Sequence, residues 1–183
     1  MIDEKFLNRL KRGDPIAQKQ LYDKYAPKLF GIALRYSGSR EEAEDILQDA
    51  FVKIFRYIKS FENRGSFEGW LRKIVVNTAI GNYRKELRHK YQDDFDDIHE
   101  SDILNFSHPD PDFTMDEILK AVQSLPKGYR TVFNLYAIEG YKHKEIAKIL
   151  GIDESTSKSQ YHRARKLLQK KLLELKNYRS KNG

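Results

Sequence analysis

A chain of 183 residues with a formal net charge of +7 and no cysteine has room for one ordinary domain or two small ones. It has no material for a disulfide framework, a thiolate metal site or thiol chemistry. No apolar run approaches a membrane span and the opening MIDEKFLNRLKRGD has no apolar signal core, so a cytoplasmic protein is expected. The charge is unevenly spread. Residues 1–90 hold 19 Lys and Arg against 12 Asp and Glu, residues 91–113 hold none against 8, and residues 114–183 hold 15 against 7. Two basic bodies joined by an acidic strap favour a polyanionic partner.

In chain order the sequence reads as helices almost throughout. A first helix covers about 3–12 and stops at Gly13. Asp14 followed by Pro15 is the favoured order of cap and first-turn proline; it opens a helix over about 15–36 that ends near Gly38. Ser39 with Glu42 forms a capping box for a third helix over about 40–59. Residues 60–66 (SFENRGS) are a loop, and a fourth helix occupies about 67–90. The segment 91–113, with two prolines and no sustained period, reads as a flexible linker.

Beyond it, Thr114 with Glu117 is a second capping box, opening a helix to Leu125. Pro126 restarts the chain into a helix ending near Gly140. The stretch KEIAKILGIDESTSKSQYHRARKLLQKK, residues 144–171, then reads as helix, turn, helix. Gly151 turns the chain at the first C-terminus, and Asp153 caps the second helix. The expected class is all-α: two small helical bundles, 1–90 and 114–183, joined by the flexible acidic linker 91–113, the C-terminal bundle containing a helix-turn-helix.

Three faces carry functional signals. On the last helix Tyr161, Ala164, Leu168 and Leu172 form an apolar back. Its front carries Lys158, Ser159, His162, Arg163, Arg165 and Lys166, which suits a DNA major groove. The third helix buries Ala43, Ile46, Leu47, Ala50, Phe51, Ile54, Phe55 and Ile58. Its other side presents Asp45, Gln48, Asp49 and Val52, an acidic and amide patch on a basic body. That patch fits either a basic protein surface or a solvated face whose acids complement the helix dipole. The fourth helix has an apolar stripe of Phe67, Trp70, Leu71, Ile74, Val75 and Thr78, with Lys73, Asn77, Ile80 and Arg84 on a neighbouring face. The preceding loop offers Asn63, Arg64, Ser66 and Phe67, a set able to stack on and hydrogen-bond an unpaired base.

Taken together, these blocks resemble the bacterial RNA polymerase sigma factors of the extracytoplasmic-function group. Residues 21–55 resemble the family's first block, 61–88 its promoter-melting block, and 125–168 its C-terminal promoter-reading domain. The resemblance implies a regulated initiation factor whose partners are core RNA polymerase, double-stranded promoter DNA with its melted minus-ten strand, and an anti-sigma factor. It implies no cofactor, no metal and no catalytic residue. Asp45, Gln48, Asp49 and Val52 would dock on the polymerase clamp helices. Asn63, Arg64, Ser66, Phe67, Lys73, Asn77 and Arg84 would serve the minus-ten element. Lys158, Ser159, His162 and Arg163 would face bases or nearby backbone in the minus-thirty-five element, with Gln160, Arg165 and Lys166 placed for phosphates. Two positions depart from the family's pattern: Ser157 replaces an aliphatic residue, and Gln160 replaces an arginine.

Two rival readings fit parts of the chain. A helix-turn-helix repressor would explain residues 125–172 but not the first ninety. A hydrolytic metal site built from the acids at 93–112 with His89, His99 and His108 would need preset geometry. A proline-containing segment without helical spacing does not provide it.

Overall fold

The computed structural model describes residues 3–62, 64–90 and 113–182. The chain forms two compact units, Met1–Asn82 and Tyr83–Gly183. Every regular element among the described residues is helical.

The first unit follows its punctuation closely. Helix α1 spans Glu4–Lys11, with the Asp3 carboxylate accepting the Phe6 N–H. Gly13, at φ 79°, takes the left-handed turn that ends it. Helix α2 spans Pro15–Tyr36 and begins on Asp14, whose carboxylate accepts the Ile16 and Ala17 N–H groups. Arg9 donates to the same carboxylate at 2.7 Å, and this hydrogen bond leads the causes that hold the Asp14 pKa below its ordinary range. Pro27 lies inside α2 and has no N–H to give the carbonyl one turn back.

Helix α3 spans Arg40–Tyr57 and passes into a short 3-10 turn, Ile58–Ser60. The expected capping box is only half reciprocal. The Ser39 hydroxyl accepts from the Glu42 N–H, but the Glu42 carboxylate takes the Gly38 N–H, one residue earlier than expected. Helix α4 spans Phe67–Lys90 and starts on Ser66, whose hydroxyl and carbonyl accept from Gly69 and Trp70. Its apolar coverage is wider than one stripe. Val76, Ala79, Ile80 and Tyr83 are buried beside Leu71, Val75 and Thr78, so Ile80 does not share the exposed face of Lys73, Asn77 and Arg84.

In the second unit α5 spans Met115–Gln123 with the Thr114–Glu117 capping box complete. The Glu117 pKa lies below its ordinary value, chiefly through the Thr114 backbone hydrogen bond. Helix α6, Lys127–Phe133, runs on into a π-helical turn, Asn134–Ile138, where the Glu139 N–H reaches the Asn134 carbonyl. The buried Arg130 joins α6 to the end of α5 by donating to the Gln123 carbonyl at 2.6 Å. A cation among C-terminal carbonyls complements their partial charge.

Helix α7 spans His143–Leu150 and α8 spans Glu154–Asn182, so the last helix runs well past the stretch 144–171. Ala121, Val122, Leu125, Ala164 and Leu168 form the core between α5 and α8. Near the end of α8, Arg179 pairs with Glu117.

Gly151 sits at φ 71°, ψ 37°, and its N–H and that of Ile152 both reach the Ala147 carbonyl. Residues with a Cβ lose roughly 1–2 kcal/mol in that conformation. Gly151→Ala should therefore destabilise the second unit by about that amount, with Gly151→Asn milder, as read by urea unfolding.

Candidate nucleic-acid and polymerase interfaces

The α3 patch is arranged as expected. Asp45, Gln48, Asp49 and Val52 are all exposed, while Ala43, Ile46, Leu47, Ala50, Phe51 and Ile54 are buried on the opposite side. Beside the patch, a shallow groove between α2 and α3 is lined by Tyr22, Pro27, Phe30, Glu44, Leu47 and Gln48. The four candidate docking residues all lie on α3, whereas this groove is lined by α2 as well.

The loop before α4 is anchored from behind. Lys11 donates to the Phe61 carbonyl at 2.8 Å, and Gly65 at φ 84° reverses the chain. Asn63 lies outside the described residues. Arg64 is exposed and pairs with Glu62 at 3.2 Å. Ser66 is exposed but serves as the N-terminal cap of α4. Phe67 is half-buried in an aromatic cluster, 5.1 Å from the Phe61 ring, 5.8 Å from Trp70 and 6.1 Å from Tyr25. The available loop surface is thus polar, with the aromatic rings underneath it. Lys73, Asn77 and Arg84 are all exposed and fall on one strip of α4 by helical spacing. They do not converge with the buried Thr78, whose hydroxyl accepts from Lys53 at 3.1 Å and donates to the Ile74 carbonyl.

On α8, Ser159, His162 and Lys166 are exposed along the centre of the outer face, and Ser155 extends that row by one turn. Lys158 and Arg165, seven positions apart, share one flank. Lys158 pairs with Glu154 at 2.7 Å, and the Arg165 guanidinium lies 6.0 Å from the Tyr161 ring centre. Arg163 lies on the other flank, half-buried, 3.4 Å from the Tyr129 hydroxyl.

Gln160 departs from its expected outward position. It is half-buried, and its buried Oε1 has no hydrogen-bond partner among the described residues. It sits against Gly128, where a Cβ would stand 3.5 Å from its amide atoms. Spacing alone explains this inward turn, because Gln160 lies four residues before Ala164 on the buried side.

Ser157 is wholly buried. Its hydroxyl lies 3.0 Å from His143 Nδ1, so the polar departure has a polar partner on α7. The His143 ring stacks on Tyr136 at 4.3 Å and 13° and lies 5.7 Å from Tyr161. Burial is the main cause lowering its pKa, and Lys158 adds to it against the opposing pull of Glu154.

Comparison with known proteins supplies the family. Residues 21–89 match Sigma-70 region 2, and residues 115–168 match Sigma-70 region 4. The chain is 30% identical to the RNA polymerase sigma-H factor of Pseudomonas aeruginosa, with 93% of both chains covered. It is 31% identical to the ECF RNA polymerase sigma factor SigW of Bacillus subtilis, covering 96% of this chain and 99% of that one. The chain belongs to the ECF group of RNA polymerase sigma factors. It is therefore a transcription initiation factor.

Among solved structures, it is similar to the sigma factor RpoE in complex with the anti-sigma factor NepR from Bartonella quintana. That likeness has 28% identity, 84% of this chain and 95% of that chain covered, and a TM-score of 0.48. Within this sigma factor the region 2 match takes in most of α2 and all of α3. The region 4 match ends partway along α8, so the later turns of that helix lie outside it. Among the described residues no group of three or more His, Asp or Glu could hold a metal ion. The acids at 93–112, His99 and His108 lie outside the described residues. No described helix is long and apolar enough to cross a membrane.

The lowered His143 pKa has a stability consequence. An imidazole whose folded pKa lies below its ordinary 6.5 binds its proton more readily in the unfolded chain. Its contribution is therefore present above that value and lost as pH falls toward the folded one. The second unit should lose stability on acidification below about pH 6.5. His143→Phe should flatten that part of the profile in denaturant titrations across pH 5–8.

Proposed function

We propose that this sigma factor docks on core RNA polymerase through Asp45, Gln48, Asp49 and Val52. In this reading it holds the melted minus-ten strand with the 63–67 loop and the Lys73–Asn77–Arg84 strip. It reads the upstream element with α8. What supports this reading is the separation of exposed faces on rigid helices: acid and amide on α3, cation and amide on α4, hydroxyl, imidazole and cation on α8. Like charges repel, so the acidic face suits a protein partner, and the basic faces suit nucleic acid.

On α8 the central Ser159 and His162 are placed for base edges, with Lys158 and Arg163 within reach from opposite flanks. Arg165 and Lys166 are placed for phosphates, and the inward turn of Gln160 removes it from that set. The chain itself supplies no catalytic group in this reading; it positions DNA in the cytoplasm for chemistry that the polymerase performs, without cofactor or metal. An anti-sigma factor would act by covering these same faces. The acidic segment 91–113 would serve as the connector between the two DNA-binding parts.

Asp45→Lys combined with Gln48→Ala should abolish co-purification with core polymerase while leaving the melting temperature unchanged, because neither side chain is buried. Losing a buried charged partner at an interface costs about 2–5 kcal/mol. Retention at wild-type strength would remove the docking assignment.

His162→Ala should cost about 1–3 kcal/mol and relax preference at particular base pairs. Arg165→Ala should weaken all sequences alike and lower the salt slope by about one unit. Salt-titrated binding of holoenzyme to promoter and scrambled duplexes separates the two effects. Equal, sequence-independent losses from both substitutions would mean that α8 holds DNA without reading it.

A further inference from the structure

Helix α1 has no part in the faces assigned above, and it lies outside the residues 21–89 that match region 2. Its end is nonetheless firmly placed. Leu7 and Leu10 are buried in the first unit, and the helix packs against the 3-10 turn Ile58–Ser60. The Gly13 N–H closes on the Leu10 carbonyl at 2.9 Å and the Asp14 N–H on the Arg9 carbonyl at 3.2 Å, with the Arg9–Asp14 ion pair beside them. Lys11, the last residue of α1, is half-buried and donates to the Phe61 carbonyl at 2.8 Å, across 50 residues of chain. Phe61 opens the loop. Its buried ring packs at 5.1 Å on Phe67 and 5.3 Å on Trp70, and its N–H reaches the Ile58 carbonyl at 3.2 Å. Ring, N–H and carbonyl are thus held by three different elements: α4, the 3-10 turn and α1.

The carbonyl belongs to the planar peptide unit joining Phe61 to Glu62, and that plane sets the direction in which the exposed Glu62, Arg64 and Ser66 leave the turn. At the far end of the loop, Ser66 is held by the Gly69 and Trp70 N–H groups. A charged donor makes a shorter and stronger bond than a neutral one, which suits a constraint on the first plane of an open loop. We propose that α1 braces this loop and that Lys11, acting through the Phe61 carbonyl, is a positioning residue for the melted minus-ten strand. This rests on the assignment of the 63–67 loop and the Lys73–Asn77–Arg84 strip to that strand. Lys11 itself meets no DNA in this role. It raises the fraction of molecules whose loop already has the binding conformation, and apparent affinity falls in proportion when that fraction falls.

The test uses holoenzyme made with full-length protein and a fluorescent single-stranded oligonucleotide that the wild-type holoenzyme selects from a randomised minus-ten window. Lys11→Met removes the donor at similar length and should weaken binding roughly 10-fold, the order expected when a charge-assisted hydrogen bond holding the competent conformer is lost. Lys11→Arg keeps a donor and should restore most of the affinity. Lys5→Met removes the same charge from an exposed position on α1 and should bind as wild type. The salt slope of Lys11→Met should match that of the wild type, because no phosphate contact is lost, and core polymerase binding should not change. A slope lower by about 0.7 would make Lys11 a phosphate contact and overturn the proposal. Equal losses from Lys5→Met, no rescue by Lys11→Arg, or a parallel loss of core binding would overturn it too. If Lys11→Met binds as wild type while Asn77→Ala does not, the brace falls and the strip assignment stands. If neither substitution weakens binding, both fall.

Discussion

The close approach of α2 and α3 is the contact on which the first unit depends. Ala17 and Ala33 of α2 and Ala43 and Ala50 of α3 are wholly buried, and side chains this small let two helix backbones come near one another without leaving voids. Leu21, Leu29, Ile46 and Ile54 fill the remaining space, all buried. Packing of this kind fixes rotation about the α3 axis, because turning the helix would drive larger residues into positions sized for alanine. Rotation in turn decides that Asp45, Gln48, Asp49 and Val52 face outward together. That exposed face is rigid because its reverse side is tightly packed.

The legible parts of the fold were those decided locally. Asp14-Pro15, Ser39, Thr114 and Gly151 mark helix ends through hydrogen bonds and backbone angles within a few residues, so their boundaries could be read from the chain. Features decided by distant neighbours could not. The π turn at Asn134–Ile138 leaves no periodic signature. The insertion of Arg130 among the carbonyls at the end of α5 needs the α5–α6 angle. Phe67 could be read either as loop surface or as core until Phe61, Trp70 and Tyr25 were seen around it. For the candidate sites, the identity of the exposed residues on α3 and α8 was largely legible, since burial of one helix side defines the other. Their distribution between centre and flank was not. Lys158 lies beside Arg165, and Arg163 lies across the face from both.

Charge is divided along the length of helix α3. Its first turns carry Glu41, Glu42, Glu44 and Asp45, which complement the positive end of the helix dipole. Its last turns carry Lys53, Arg56 and then Lys59, next to the loop and to Tyr57. The charge order that stabilises the helix also gives its two ends opposite electrostatic character. An acidic end suits a basic protein surface, and a basic end suits nucleic acid.

The helix-turn-helix shows how a local departure from the family's pattern is absorbed. An aliphatic residue at 157 would add apolar contact between α7 and α8; serine there is buried and would cost stability if left without a partner. His143 supplies that partner, and its ring is itself held by stacking on Tyr136 and by Tyr161. The exchange replaces a non-directional contact with a directional one. Apolar packing tolerates small rotations, whereas a hydrogen bond between two helices weakens steeply as its angle opens. The His143–Ser157 pair adds a directional constraint to the packing of α8 on α7, and the outward row of Ser155, Ser159, His162 and Lys166 lies on the side of α8 opposite Ser157. The same directionality brings a titratable ring into the turn, so that the stability of the second unit depends on the protonation of a residue set behind the outward row.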